Sequence, residues 1–266
     1  MSLSAVFDSA GTLLKTVRTV FCKKTQSIIC GAETTLLVFE DKDRSLVLLN
    51  IGTAEICSAE DMPLSRWIQE NSISYAVSCG HADTKTAGAI LQQDAAVTTA
   101  NLKEAVSAVR TEAEKETEEF ALNTGVILNT RTQEIEYLVA SAGYLFPGTA
   151  ELMQNLQEKE VNICIASGDR QEKLEKIAEQ LGIPKENVFG ASSPEKKAEV
   201  IRSQQEQFNT VLMIGDAVND LPAFHAADFA VLTLQQRGRR PDILFQAADA
   251  VIEDITEAEE IIRRFL

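Results

Sequence analysis

The chain has 266 residues, with 25 Lys and Arg against 40 Asp and Glu, so its formal net charge is −15. An apolar content of 45% is enough to bury a core, which excludes global disorder, and the length allows one large domain or two ordinary ones. The acidic balance argues against nucleic acid as a partner, because affinity for a phosphate backbone depends on clustered Lys and Arg.

The sequence also gives expectations about compartment. The longest apolar run, Leu46 to Ile51, is far shorter than the ~18 residues that cross a bilayer, so we expect no membrane partner. No basic segment followed by a sustained apolar stretch opens the chain, so we expect no signal peptide. The five cysteines are scattered and never form a C-x-x-C pair, which indicates reduced structural thiols in a cytoplasmic protein.

The first predicted elements are short strands. The apolar run Leu3 to Phe7 ends at the small and polar segment 8–12, as strands of an α/β sheet do where they present chemistry. Short β-rich runs continue from about Val17 to Ile56. Within them, Thr34–Glu40 and Ser45–Asn50 flank a polar turn and are expected to pair as a hairpin.

The middle of the chain mixes helices and strands. Residues 102–122 place apolar side chains at helical spacing, which indicates an amphipathic helix, and the Glu-rich residues 112–119 belong to its solvated acidic face. The other predicted elements of this region are a helix at Pro63–Glu70, a strand at Ile73–Ser78, and a hairpin of Val126–Asn129 with Glu134–Ala140.

After Pro147 helices and strands alternate regularly. Such alternation predicts βαβ units and a parallel sheet, which the first strand joins because it has the same buried character. We therefore predict an α/β fold: a doubly wound parallel sheet formed by residues 1–19 and 143–266, with residues 20–142 inserted as a separate α+β module. The predicted elements of the second half are helices at 148–159, 171–181, 194–206, 221–226 and 256–265, and strands at 161–166, 187–190, 210–214, 228–233 and 249–252.

Four separated segments place polar groups at the end of a predicted strand or the start of a predicted helix. Because strand ends of a doubly wound sheet converge on one crevice, we expect these groups to lie together. Their carboxylates, ammonium group, hydroxyls and glycine amides suit an anion held with a hard cation. The segments are Asp8–Thr12, Ser167–Asp169, Ser193–Lys197 and Gly215–Asp220.

These segments resemble the four motifs of the haloacid dehalogenase superfamily, and in detail those of its P-type-ATPase-like branch. The motifs are Asp-x-x-Gly-Thr from residue 8, Ser-Gly-Asp from 167, Pro-x-x-Lys from 194 and Gly-Asp-x-x-Asn-Asp-x-Pro-Ala from 215. Four motifs in order are a far more specific signal than one. The resemblance covers residues 3–14 and about 143–255. It implies a Rossmann-like core with an inserted cap module, and a soluble phosphatase that acts on a small phosphorylated substrate.

The resemblance implies a role for each matching residue. Asp8 would be the nucleophile that forms an aspartyl-phosphate. The carboxylates of Asp8 and Asp216, with the main-chain carbonyl of Ala10, would hold Mg²⁺. The remaining roles are phosphate binding by Thr12, Ser167, Gly168 and Lys197, of which Thr12, Ser167 and Lys197 also act in catalysis, and support of the site by Asp169, Asn219 and Asp220.

Ala10 departs from the family pattern. Most phosphatases of the superfamily have Asp at this position, where it protonates the leaving group and later deprotonates water. Alanine can do neither, and such a general acid/base contributes typically 10²–10⁴-fold. We therefore expect slow turnover or a restriction to good leaving groups. The nucleotide signature of the pumps, Lys-Gly-x-Pro, is missing from residues 20–142, which argues against ATP as the substrate.

Two other functions stay open at this point. A regulatory or scaffolding protein could retain the phosphate site with negligible turnover, which Ala10 and the acidic insertion would explain. Cleavage of a carbon–phosphorus bond is the third reading, because phosphonoacetaldehyde hydrolases also have Ala at this position. Those enzymes need a Schiff-base Lys in the inserted module, and the sequence identifies none.

The remaining candidate residues favour structural interpretations. Cys79, His81 and Asp83 alternate at the end of a predicted strand, where they cannot easily surround a small ion. His225 is expected on a helix surface. The one basic cluster of the acidic chain follows a core strand, and we expect it to lie in a solvated loop rather than against a leaving group or a partner; its members are Arg237, Arg239 and Arg240.

Overall fold

The computed structural model describes residues 2–113 and 121–266. The strands are β1 (Leu3–Phe7), β2 (Leu14–Cys22), β3 (Ser27–Cys30), β4 (Arg44–Leu49), β5 (Tyr75–Gly80), β6 (Ala121–Asn129), β7 (Glu134–Leu145), β8 (Asn162–Ala166), β9 (Val188–Phe189), β10 (Thr210–Gly215), β11 (Phe229–Thr233) and β12 (Ala250–Ile252). The helices are α1 (Thr34–Phe39), α2 (Thr53–Ser58), α3 (Leu64–Glu70), α4 (Thr84–Gln93), α5 (Thr99–Ala113), α6 (Thr149–Glu158), α7 (Gln171–Gln180), α8 (Pro194–Gln205), α9 (Leu221–Ala226), α10 (Asp242–Ala247) and α11 (Ala258–Arg263). Short 3₁₀ turns cover Lys185–Asn187, Val218–Asp220 and Ile255–Glu257. Within the described ranges, no helix has both the length and the apolar content needed to cross a membrane.

The residues group into two compact units. The first combines Met1–Lys15 with Leu145–Leu266, and the second is Thr16–Tyr144. We propose that the first unit is the catalytic core and the second the inserted module that the sequence suggests.

The first unit is built around a six-stranded sheet with the strand order β12-β11-β10-β1-β8-β9. The neighbouring strands run parallel, and Phe7 of β1 lies level with Ile214 of β10 and Ile165 of β8. All five residues of β1 are buried, as expected for a central strand of a parallel sheet. The segments that follow β1, β8 and β10 therefore begin at the same edge, and the predicted parallel α/β core is confirmed.

Helix α8 carries one of the motif residues, and its start is set by local chemistry. The Ser193 hydroxyl accepts the backbone N–H of Lys196, and Pro194 occupies the first turn. Both features favour a helix start, because the serine satisfies a free amide and proline needs none. Val200 and Ile201 of the same helix are buried in the core of the unit. This packing fixes the first turn of α8 and with it Lys197.

The second unit is an α+β module around a six-stranded sheet with the order β3-β2-β7-β6-β4-β5. The predicted hairpin of β6 and β7 is confirmed, since these strands pair antiparallel, as do β6 with β4 and β4 with β5. Leu102, Val106 and Val109 of α5 are buried in the core of the unit, as their helical spacing predicts.

The predicted hairpin at residues 34–50 is wrong. Thr34–Phe39 forms helix α1, and β4 pairs with β5 and β6 instead. Thr34 and Val38 are buried while Phe39 is 50% exposed, so burial follows the helical spacing of four residues. Periodicity alone cannot assign so short an apolar run, and tertiary packing decides its conformation.

Several predicted boundaries are also wrong. The helix predicted over 102–122 is too long at its C-terminal end, because Ala121 already belongs to β6; the described part of α5 is Thr99–Ala113, and most of the acidic stretch lies outside the described residues. Strand β5 begins two residues later than predicted. The final helix is shorter than predicted, because a 3₁₀ turn at Ile255–Glu257 precedes α11.

Candidate active site

Three buried carboxylates lie together at the end of β1 and β10. Asp8 follows β1, and Asp216 and Asp220 follow β10. Each offers one oxygen, and these oxygens all lie within 4.8 Å of one another. The three residues are 3% exposed or less. Because like charges at this distance repel one another in a site shielded from water, nearby cations are needed to offset them.

Lys197 supplies one of these cations. Its Nζ donates to Asp8 Oδ1 and to Asp220 Oδ1, each at 2.6 Å, and its side chain is fully buried. Burial alone would lower the pKa of Lys197, but the Asp220 and Asp8 carboxylates outweigh it and raise that pKa. Lys197 is therefore an ammonium group that bridges two carboxylates.

Burial and the neighbouring charges have opposing effects on the pKa of Asp8. Burial is the largest, and it raises the pKa of Asp8 to about 6 although Lys197 acts to lower it. The Asp220 carboxylate adds to the increase. At neutral pH Asp8 is still mostly a carboxylate, but one that is less stabilised than a solvated aspartate and therefore more basic.

Asp220 connects the segment after β10 to Lys197 through hydrogen bonds. Its Oδ2 accepts the backbone N–H groups of Asp216, at 3.0 Å, and of Ala217, at 3.1 Å, while Oδ1 accepts from Lys197. Gly215 leaves room for this arrangement, since a Cβ there would lie 2.5 Å from Asp220 Oδ2. Asp220 is thus placed to support Lys197 and to fix the position of Asp216.

The turn after β1 brings main chain against Asp216. Gly11 has φ +94, and a Cβ at this position would lie 2.2 Å from Asp216 Oδ2, so only glycine fits both the conformation and the space. In the same turn, the hydroxyls of Ser9 and Thr12 are buried with no hydrogen-bond partner among the described residues. The same holds for Asn219 Oδ1 after β10. Buried polar atoms without partners are rare, so these three atoms are candidates to contact water or a polar ligand.

The Ser-Gly-Asp motif follows β8, the other neighbour of β1. Ser167 is 2% exposed, and its Oγ accepts the backbone N–H of Asp169 at 3.3 Å. Asp169 pairs with the nearly buried Lys173 at 3.1 Å, one turn along in α7. Because β8 runs parallel to β1, the motif that follows it lies at the same sheet edge as the three carboxylates.

Arg240 is a site residue that the sequence interpretation missed. Its Nη2 donates to Asp216 Oδ2 at 2.8 Å and to the carbonyl of Gln236 at 2.9 Å, and its side chain is 6% exposed. The expectation of a solvated loop is wrong for Arg240, whereas Arg237 and Arg239 are exposed. The sequence signal that could have placed Arg240 at the site is its position in a basic cluster after β11, the strand that neighbours β10.

The other sequence candidates lie in ordinary structural settings. Asp83 caps α4, where its carboxylate accepts the backbone N–H of Thr86 at 2.6 Å. Cys79 is buried and His81 is exposed. His225 is exposed on α9, as predicted.

A protein-family model described as haloacid dehalogenase-like hydrolase matches residues 4–228. A soluble P-type ATPase-like phosphatase of Methanocaldococcus jannaschii is 29% identical, over 100% of this chain and 95% of that protein. A probable copper-importing P-type ATPase A of Enterococcus hirae is 28% identical over 48% of this chain, which spans only 17% of that longer protein. Among solved structures, the catalytic domain of the CPx-ATPase CopB-B is 16% identical with a TM-score of 0.49, covering 98% of this chain and 89% of that one.

Proposed function

Because the chain belongs to the haloacid dehalogenase-like hydrolases, we propose that it is a Mg²⁺-dependent phosphatase that works through a phosphorylated Asp8. The observation that carries the proposal is the 2.6 Å contact between Asp8 Oδ1 and Lys197 Nζ in a buried site shared with Asp216 and Asp220. The full-length likeness to a protein named a soluble P-type ATPase-like phosphatase supports the same reaction class.

In the proposed reaction, Asp8 is the nucleophile. One of its carboxylate oxygens forms a bond to phosphorus while the bond from phosphorus to the leaving oxygen breaks, and that oxygen keeps the electron pair. Water then attacks the same phosphorus, the bond to Asp8 breaks, and inorganic phosphate leaves. A pKa of about 6 leaves Asp8 mostly ionised at neutral pH, as a nucleophile must be.

The residues around Asp8 fit a hard divalent cation. Carboxylate and carbonyl oxygens are the ligands that Mg²⁺ prefers, and Asp8, Asp216 and the main-chain carbonyl of Ala10 would hold it. Asp220 has both oxygens engaged by Lys197 and two backbone amides, so we assign it a supporting role. When bound, the ion would offset negative charge on the transferring phosphoryl group.

The phosphoryl oxygens would be held by donors from three segments. The Thr12 hydroxyl is buried with no hydrogen-bond partner in the described structure, which supports its assignment as a donor to phosphate. Lys197 adds a positive charge next to the nucleophile, so that two anions can approach. The Ser167 hydroxyl and the Gly168 amide complete the set, and Asp169 and Asn219 support it from the flanking turns.

Ala10 sets the expected substrate range. With no carboxyl group at this position, a leaving group must depart without a proton from residue 10, which favours aryl and acyl phosphates over alkyl phosphates. The same observation favours the second candidate function, a regulatory protein with a phosphate site and negligible turnover.

Hydrolysis of p-nitrophenyl phosphate separates the two functions. We expect activity that requires Mg²⁺ and falls to background in Asp8→Asn. Asp242→Asn is the matched control, because Asp242 is an exposed aspartate of the same unit. An Asp8→Asn variant as fast as wild type would contradict the proposed nucleophile. No hydrolysis of any activated phosphate by wild type would favour the regulatory function.

A further inference from the structure

Both proposed carboxylate ligands of the cation already have a cationic partner, and that of Asp216 is Arg240. Arg240 Nη2 lies 2.8 Å from Asp216 Oδ2, and both side chains are almost completely buried, at 6% and 4% exposure. Lys197, the other buried cation of the site, contacts Asp8 and Asp220 instead. The three carboxylates are thus shared between two cations, and Arg240 serves Asp216.

Burial makes Asp216 dependent on a partner of opposite charge. A buried carboxylate without a partner pays a large desolvation cost, and a guanidinium at hydrogen-bond distance offsets it. A divalent cation bound to Asp216 would change this balance, since it supplies the compensating charge itself. It would also repel the guanidinium, because two cations on one carboxylate lie within a few ångströms in a poorly screened site.

Arg240 belongs to a connecting segment of the chain, not to a helix or a strand. It stands between β11 and α10, and its guanidinium also donates to two carbonyls of the same segment, from Nη2 to Gln236 at 2.9 Å and from Nη1 to Arg239 at 3.5 Å. The neighbouring Arg237 and Arg239 are exposed, so solvent lies close by for a displaced guanidinium.

We infer that Arg240 is the resident counter-ion of Asp216, that it competes with the divalent cation for this carboxylate, and that it thereby sets the cation affinity of the site. Arg240 is on this view a positioning residue rather than a catalytic one. The inference rests on the proposed function in one respect, the assignment of Asp216 as a cation ligand.

Calorimetric titration with Mg²⁺, without any substrate, tests the inference. Arg240→Gln removes the competing charge, and we expect it to bind Mg²⁺ about tenfold or more tightly than wild type, because no guanidinium on the Asp216 carboxylate then repels the incoming cation. Arg239→Gln is the matched control, since it removes an exposed charge from the neighbouring position and should bind Mg²⁺ like wild type. Asp216→Asn should bind much more weakly.

Two further measurements guard against a folding defect in Arg240→Gln. Arg240→Lys keeps the charge but loses the fork of donors, so its affinity should lie between those of wild type and Arg240→Gln. In wild type, the Nε–H resonance that Arg240→Lys lacks should shift during a Mg²⁺ titration followed by NMR. A resonance that does not move while Mg²⁺ binds would overturn the inference.

The outcomes separate the inference from the proposed function. Unchanged or weaker Mg²⁺ binding by Arg240→Gln, with binding lost in Asp216→Asn, would overturn the role of Arg240 and leave the proposed metal site standing. No Mg²⁺ binding by wild type, or equal binding by wild type and Asp216→Asn, would overturn both.

Discussion

Replacing Lys197 by methionine should destabilise the protein strongly. The lysine side chain is fully buried and contacts two carboxylates at 2.6 Å, and methionine has a similar length without the charge. Removing one partner of a buried ion pair costs about 3–5 kcal/mol, because the other charge is left uncompensated. At about 2–4 °C per kcal/mol for a chain of this size, the melting temperature should fall by about 6–20 °C.

The stability lost in Lys197→Met should depend on pH, and the direction of that dependence follows from the pKa of Asp8. In wild type, burial raises the pKa of Asp8 from 3.8 to about 6, against the opposing effect of Lys197. Without Lys197 the pKa of Asp8 must rise further. When the pKa of a carboxyl group is higher in the folded than in the unfolded state, the protein loses stability as pH rises through the folded-state pKa. The variant should therefore be closer to wild type at pH 5 than at pH 8.

Thermal unfolding of both proteins at pH 5 and pH 8 measures the effect. Lys196→Met is the matched control, because Lys196 is the exposed neighbour in the same helix, and its change should stay within about 0.5 kcal/mol. Asp8→Asn should rescue part of the stability of Lys197→Met, since it removes one uncompensated charge. A loss below about 1 kcal/mol, or an equal loss at both pH values, would refute the reasoning.

Three other outcomes are expected. Gly11→Ala should abolish Mg²⁺ binding in a calorimetric titration and cost about 1–3 kcal/mol of stability, because its Cβ would overlap Asp216 at a positive φ; wild-type Mg²⁺ affinity would contradict this. Ala10→Asp should hydrolyse an alkyl phosphate about tenfold faster or more, and a folded variant with an unchanged rate would show that residue 10 does not limit turnover. A maleimide should label the exposed Cys30 and Cys57 of the native protein but not Cys164, whose pKa burial raises to about 11; early labelling of Cys164, mapped by mass spectrometry, would count against its burial.

The parallel core was predictable because its signals are local and repeated. Central strands such as β8 and β10 are short buried runs, and α8 has a clear start at Ser193 and Pro194. The motif residues Asp8 and Asp216 could be placed together from sequence, because the ends of neighbouring parallel strands meet at one edge.

The wrong predictions arise where tertiary packing determines the local conformation or the contacts of a side chain. Helix α1 is a short apolar run whose sequence is also compatible with a strand. Its conformation depends on the burial of Thr34 and Val38. Arg240 was missed for a related reason. Arginines in a polar loop are normally solvated, and the contact of Arg240 with Asp216 depends on the order of β10 and β11 in the sheet, which composition does not reveal.

A crystal structure with beryllium fluoride and Mg²⁺ would test the phosphorylated aspartate most directly, because the fluoride mimics a phosphoryl group on a carboxylate. We expect beryllium bonded to an Asp8 oxygen, with Mg²⁺ on Asp8 and Asp216 and the ammonium of Lys197 against the fluorides. Beryllium fluoride bound to another residue, or an empty Asp8 at saturating concentrations, would contradict the proposed nucleophile.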